Sequence, residues 1–146
     1  MKKSMAIVLL LLISVSAFAR IFRIWKEAEM QKASQLIVIG KVVNVRDSGE
    51  TNAVMCPPCK VLGVEATFAV SKVLKGDFTN NTVVLHYYRF DPSSCSLDDG
   101  PSFLNLTPTN TNQFLLYLVS DGASRYAPVS GQIDPSLDAV RVFRQQ

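Results

Sequence analysis

Cys56-Pro57-Pro58-Cys59, with Cys95 further along and a single histidine at His86, are the residues of this chain with the types and spacing for chemistry. One chemistry is a structural disulfide from Cys95 to Cys56 or Cys59, the usual fate of cysteines in an oxidising compartment. A second is thiol–disulfide exchange at Cys56 and Cys59. It needs a thiolate whose pKa is depressed, commonly at a helix N-terminus. Here Lys60-Val61-Leu62-Gly63 leads into a strand, and Pro58 removes a backbone donor. A third is a Cys₃His zinc shell of Cys56, Cys59, His86 and Cys95. A lone histidine on a strand is more often a packed side chain. A fourth reading leaves all three thiols free. Because the count is odd, one thiol stays unpaired within a monomer unless it binds metal or a second chain.

Other catalytic sets find little in the sequence, and no catalytic residue is assigned. His86 has no serine in a nucleophile-elbow context. Glu65, Asp91, Asp98 and Asp99 read as solvated carboxylates rather than a glycosidase pair. Asp98-Asp99 lacks EF-hand spacing and reads as a polar turn. Tyr87, Tyr88 and Phe90 are aromatic residues on one strand. Alternation sets His86, Tyr88 and Phe90 on one face and Tyr87 and Arg89 on the other, and one of these faces must be core.

The compartment follows from the first nineteen residues. Lys2 and Lys3 precede an apolar run from Met5 to Val15, and Ala17-Phe18-Ala19 forms a small-x-small cleavage signal before Arg20. As a helix, Met5 to Ala19 would rise about 22 Å, short of the roughly 30 Å hydrocarbon core, so a stable anchor is not expected. The expectation is a signal peptide over 1–19, cleavage near Ala19-Arg20, and a secreted or periplasmic domain over 20–146. Of 15 Lys and Arg, Lys2 and Lys3 leave with the leader, and the remaining 13 face 12 acidic residues. That balance lacks the footprint of a nucleic-acid binder.

These groups must be positioned mainly by strands. Arg20 to Gln35 is the one plausible helix, carrying Trp25 toward a barrel end. Leu36 to Arg46 is rich in branched residues, with Gly40 marking a bend or a close backbone approach. Val64, Ala66, Phe68 and Val70 alternate with Glu65, Thr67, Ala69 and Ser71. The apolar phase then slips, which predicts a bulge near Ser71-Lys72. Thr82 to Phe90 and Gln113 to Val119 follow as strands. Ser120 to Ser124 is a hairpin turn whose partner strand, Arg125 to Val129, is short or at an edge because of Pro128. Asp138 to Arg144 adds a last strand, and Asp91 to Asn112 reads as loop. The fold class is all-β with one short N-terminal helix: a small OB-fold-like β-barrel of five to six strands. In such a meander the loops after the first and third strands share one end, which brings Cys56, Cys59 and Cys95 together.

Three segments carry a resemblance: Ser34 to Val42, Ala66-Thr67-Phe68-Ala69-Val70-Ser71-Lys72-Val73-Leu74-Lys75-Gly76, and Phe114 to Leu118 with Tyr126 to Gly131. With them the chain resembles the OB-fold domains of netrin-like and metalloproteinase-inhibitor-like exported bacterial proteins. The resemblance implies a fold, not an activity. True inhibitors of that family begin with a Cys-x-Cys that chelates the catalytic zinc, whereas the expected mature start here is Arg20-Ile21-Phe22.

The functional expectation is an exported, non-enzymatic binding module without a cofactor. Its partner would be an extracytoplasmic protein, peptide or glycan, met at the end carrying the Cys56–Cys59 and Asp91–Asn112 loops. The alternative is a periplasmic or extracellular thiol–disulfide oxidoreductase using Cys56 and Cys59.

Overall fold

A computed structural model describes residues 24–52, 59–94, 104–122, 124–133 and 138–144. The leader, Cys56, Cys95 and Asp98-Asp99 lie outside the described residues. One short helix, α1 (Glu27–Ala33), precedes six strands: β1 (Leu36–Asn52), β2 (Val61–Lys75), β3 (Thr82–Phe90), β4 (Gln113–Ser120), β5 (Tyr126–Pro128) and β6 (Val140–Val142). Among the described residues no helix is long and apolar enough to cross a membrane.

The strands form one sheet in the order β1-β2-β3-β5-β4-β6, and β1 also pairs with β4. That second pairing closes five strands into a barrel-like ring. Four of the five junctions are antiparallel. The fifth joins β3 to β5 in parallel at Leu85 and Tyr126 alone. β6 extends the edge of β4 beside β5, pairing Phe114 with Val142 and Leu116 with Val140. The fold class expected from the sequence is the one observed.

The β1–β2 pairing has four register irregularities, and one falls at the predicted place. Ile39 pairs with Lys72 and Gly40 with Val70, so Ser71 has no partner on β1 and forms the bulge anticipated from the phase slip. Its hydroxyl donates to the Ile39 carbonyl at 3.1 Å. A Cβ on Gly40 would lie 2.8 Å from the Ala69 carbonyl oxygen, so only glycine admits this strand crossing. Inside the ring, Val38, Val42, Val64, Ala66, Phe68, Val83, Leu85, Tyr87, Leu116 and Leu118 make one core. Phe68 meets Phe114 edge-on at 5.9 Å between ring centres.

The helix is shorter than the sequence suggested, since Ile24 to Lys26 are not helical. Glu29 caps its start by accepting from the Lys26 backbone N–H at 3.2 Å. Ser34 ends it in an extended conformation, its hydroxyl donating to the Met30 carbonyl at 2.6 Å. Met30 and the partly buried Trp25 pack on a second cluster with Ile37, Ile39, Leu115, Tyr117 and Ala139, so Trp25 packs from just before the helix on the outer face of β1 and β4 rather than from the helix onto a barrel end. Arg141 and the Tyr117 hydroxyl both hold Glu27, each at 2.9 Å.

Two differences bear on function. β1 runs six residues past Arg46, forming an arm with the start of β2 in which Thr51 pairs with Leu62 and Asn52 with Val61. Both faces of β3 are covered. Tyr87 enters the inner core, while His86 and Tyr88 are buried on the outer face.

Candidate functional site at the barrel end

The loops after β1 and β3 leave the sheet at one end, as expected of a meander. The Asp91 N–H donates to the Lys60 carbonyl at 3.1 Å, and the Lys60 N–H donates to the Ser94 hydroxyl at 2.9 Å. Cys59 adjoins this junction. It is fully buried, and it packs with Val61, Tyr88, Phe90 and Ile133. β2 begins two residues later, and among the described residues no helix N-terminus faces its sulfur. Among the described residues no three His, Cys, Asp or Glu side chains converge as metal ligands. The zinc set drew on Cys56 and Cys95, which are not described. Its fourth member, His86, is engaged elsewhere.

On the outer face, register aligns Arg46 of β1, Glu65 of β2 and His86 of β3 in one row. Arg46 grips one Glu65 oxygen through Nη2 at 2.7 Å and Nε at 3.0 Å. Arg125, just past the β4–β5 turn, reaches Glu65 at 3.3 Å, Glu50 at 2.7 Å and Asp121 at 3.2 Å. His86, 2% exposed, places Nδ1 at 2.6 Å from Asp121 and 2.9 Å from the Gln132 amide nitrogen. A carboxylate only accepts, so Nδ1 carries the hydrogen. Nε2 lies 3.3 Å from Glu50 with no aligned hydrogen-bond partner. Three carboxylates, two guanidiniums and an imidazole thus tie the β1 arm, the ring and the β4–β5 turn together.

Gly63 makes room for this cluster. A Cβ there would overlap the Ser48 hydroxyl and come 3.2 Å from His86 Nε2. Serine, histidine and aspartate are therefore neighbours, yet no hydrogen bond joins Ser48 to His86, and the imidazole is closed to solvent. The ion pairs and hydrogen bonds of this arrangement act as a clasp between the β1 arm, the ring and the β4–β5 turn.

The charges agree with that role. The Arg125 hydrogen bond, with the charges of His86 and Arg125, holds the Glu50 carboxyl below its ordinary value of 4.5 despite opposing desolvation. Arg46 and then Arg125 do the same for Glu65. A carboxyl whose pKa is depressed by folding stabilises fully above its unfolded value and loses that contribution as pH falls through its folded value. Urea midpoints are therefore expected to hold steady down to about pH 4.5 and then fall. The fall should be shallower in Glu65→Gln, whereas parallel profiles for the two proteins would show that Glu65 is not part of the clasp.

The inner face at the same end opens a cavity of about 450 Å³. Val45, Val64, Tyr87, Leu104 and Leu106 give it apolar walls, and Arg46, Asp47, Arg89 and Asn105 stand at its rim. Arg89 pairs with Asp47 at 2.9 Å. Burial pushes the Tyr87 hydroxyl up to about 12, although it hydrogen-bonds the Leu106 backbone. Tyr87 is thereby a fixed neutral wall. Leu104 to Leu106 belong to the Asp91–Asn112 loop, so part of that loop does line the cavity.

Glu50, Asp121, Arg125 and Gln132 are not marked as site residues by the sequence. Asp121 is legible there only as part of a turn, and Glu50 lies in a stretch that reads as loop. Searches with this chain find no matching family model, no matching curated protein and no matching solved structure. Its function is therefore read from the clasp and the cavity.

Proposed function

We propose that this protein is an exported, non-enzymatic binding module whose ligand seats in the cavity at the end of the ring. The observation that carries the reading is the cavity itself. It has apolar walls, a few convergent polar groups and a volume in the usual range for ligand sites. Its walls are rigid. β1, β2 and β3 supply Val45, Val64 and Tyr87, and the clasp on the opposite face fixes the same three strands. The leader-like start supports export, and the near balance of charge in 20–146 favours a peptide or glycan over a nucleic acid.

The test screens a phage-displayed library of linear peptides and a glycan array against the protein and Asn105→Trp. Asn105 is exposed at the rim, so the indole narrows the mouth without entering the core. Ligands are expected to bind the parent at least about tenfold more tightly than the variant, as occlusion of a fitted pocket requires. Equal binding to both proteins would place the ligand elsewhere and remove the cavity reading.

A further inference from the structure

We propose that this protein rests on an anionic phospholipid surface through the outer face of the β1–β2 ribbon, where exposed lysines surround two exposed apolar side chains. This face is separate from the cavity, which opens on the inner side of the same strands. No run of like charge marks it in the sequence, because strand register assembles it. Residues 30–46 and 66–76 hold five basic residues and no acidic one. Their pairing sets Lys75 opposite Ile37, Lys72 opposite Ile39 and Lys41 opposite Ala69. Ile37 and Ile39 belong to the outer cluster beneath α1, and Lys41 follows Ile39 by two, so the three lysines share that outer face. Lys32 stands beside them, since Lys75 Nζ donates to its carbonyl at 3.2 Å. All four lysines are exposed.

These charges are not spent within the fold. Among the described residues every ion pair is made by an arginine or by His86. Glu27 on α1 is held by Arg141 and the Tyr117 hydroxyl. Lys75 donates only to the neutral carbonyls of Gln31 and Lys32, which leaves its charge uncompensated. The near balance of 13 basic and 12 acidic residues over 20–146 therefore conceals a segregation: carboxylates gather in the clasp, and free lysines gather on this ribbon.

Two register irregularities add the apolar part. Opposite Ile37 and Val38, β2 offers Lys75 and Val73, so Leu74 is left over. Opposite Phe68 and Thr67, β1 offers Val42 and Asn44, so Val43 is left over. Val73 and Val42 pack on the inner core, and the residue after each turns outward with the lysines. Leu74 is 48% exposed and Val43 49%. The stripe runs about 20 Å along β1 from Ile37 to Val43.

That mixture fits a lipid interface better than other anionic partners. Lysine is a compact, hydrated point charge suited to diffuse attraction by many headgroups. Isolated aliphatic side chains between lysines gain by entering the headgroup boundary. A soluble polyanion offers them nothing apolar. Protein interfaces are depleted of lysine and enriched in aromatic residues at their centre, and this stripe shows the reverse.

The experiment is co-sedimentation with sucrose-loaded vesicles of phosphatidylcholine, with and without phosphatidylglycerol. Binding is expected only to the anionic vesicles and should be released by added salt. Lys41→Gln and Lys72→Gln should each weaken it about fivefold, and together roughly 25-fold, the effect of about 1 kcal/mol per lysine at a charged surface. Lys60→Gln removes the same charge at the barrel end and should change binding by less than about twofold. Leu74→Ser should weaken binding at unchanged charge, with circular dichroism checking the fold of each variant. Asn105→Trp should bind vesicles as the parent does, so the cavity reading and this one fail separately. Equal binding to both vesicle types, or binding to neither, would overturn the proposal. So would a Lys60→Gln loss equal to that of Lys72→Gln, which would mean attraction by net charge alone. Retention on soluble polyphosphate without vesicle binding would assign the lysines to a polyanion and overturn it as well.

Discussion

Replacing His86 with alanine is expected to lower the unfolding free energy by about 2–4 kcal/mol. The imidazole is 2% exposed, so its removal opens a hole behind β3 that neighbours fill only in part. It also withdraws the N–H that Asp121 accepts at 2.6 Å. Glu50 then loses the imidazole facing it at 3.3 Å. His86→Leu keeps most of the volume and still abandons Asp121, so it should recover only part of the loss. Urea unfolding gives the size of the effect, and amide exchange gives its location. The Tyr88 N–H donates to the Gln132 carbonyl at 3.1 Å, so its exchange should accelerate beyond what the global loss explains. A loss under about 0.5 kcal/mol with unchanged Tyr88 exchange would mean that the clasp does not hold the turn to the ring.

The ring was legible because its strands carry their burial in local alternation. Thr82–Phe90 has the bounds expected of it, and the bulge at Ser71 is visible as one residue out of phase. Gly40 announced a close approach, and the Ala69 carbonyl is what it approaches. The β1 arm was not legible. Asp47-Ser48-Gly49-Glu50-Thr51-Asn52 has the composition of a loop, with Gly49 at a φ of 80°. It runs as strand because β2 supplies partners for Asp47, Thr51 and Asn52 that local propensity cannot anticipate. The clasp was illegible for a related reason. His86 meets Asp121 across 35 positions and Gln132 across 46, and no local pattern marks a turn aspartate as the partner of a distant histidine. One signal was present. His86 and Glu65 each fall out of phase with the core residues beside them, Tyr87 and Val64, so both belong to the outer face. Register then makes them direct neighbours.

Peptide mapping without reductant is expected to recover Cys59 joined to Cys95, with Cys56 alkylated as a free thiol. The residues beside them favour this pairing. Lys60 and Ser94 are hydrogen-bonded at 2.9 Å, Cys59 precedes the first, and Cys95 follows the second in sequence. Cys59 points into an apolar cluster with no solvent contact, a setting that favours a structural bridge over a reactive thiolate. Closing a loop of about 36 residues restricts the unfolded chain enough to contribute roughly 3–4 kcal/mol. Cys95→Ser and reduction of the parent should therefore lower stability by about 3 kcal/mol, whereas Cys56→Ser should leave it unchanged. The same variants separate a binder from an oxidoreductase. With Cys59 committed to a bridge, Cys56 has no resolving partner, so insulin reduction should not turn over. A Cys56–Cys59 link in the map would overturn the pairing. Turnover abolished by Cys56→Ser would move the function from the cavity to the Pro-Pro loop.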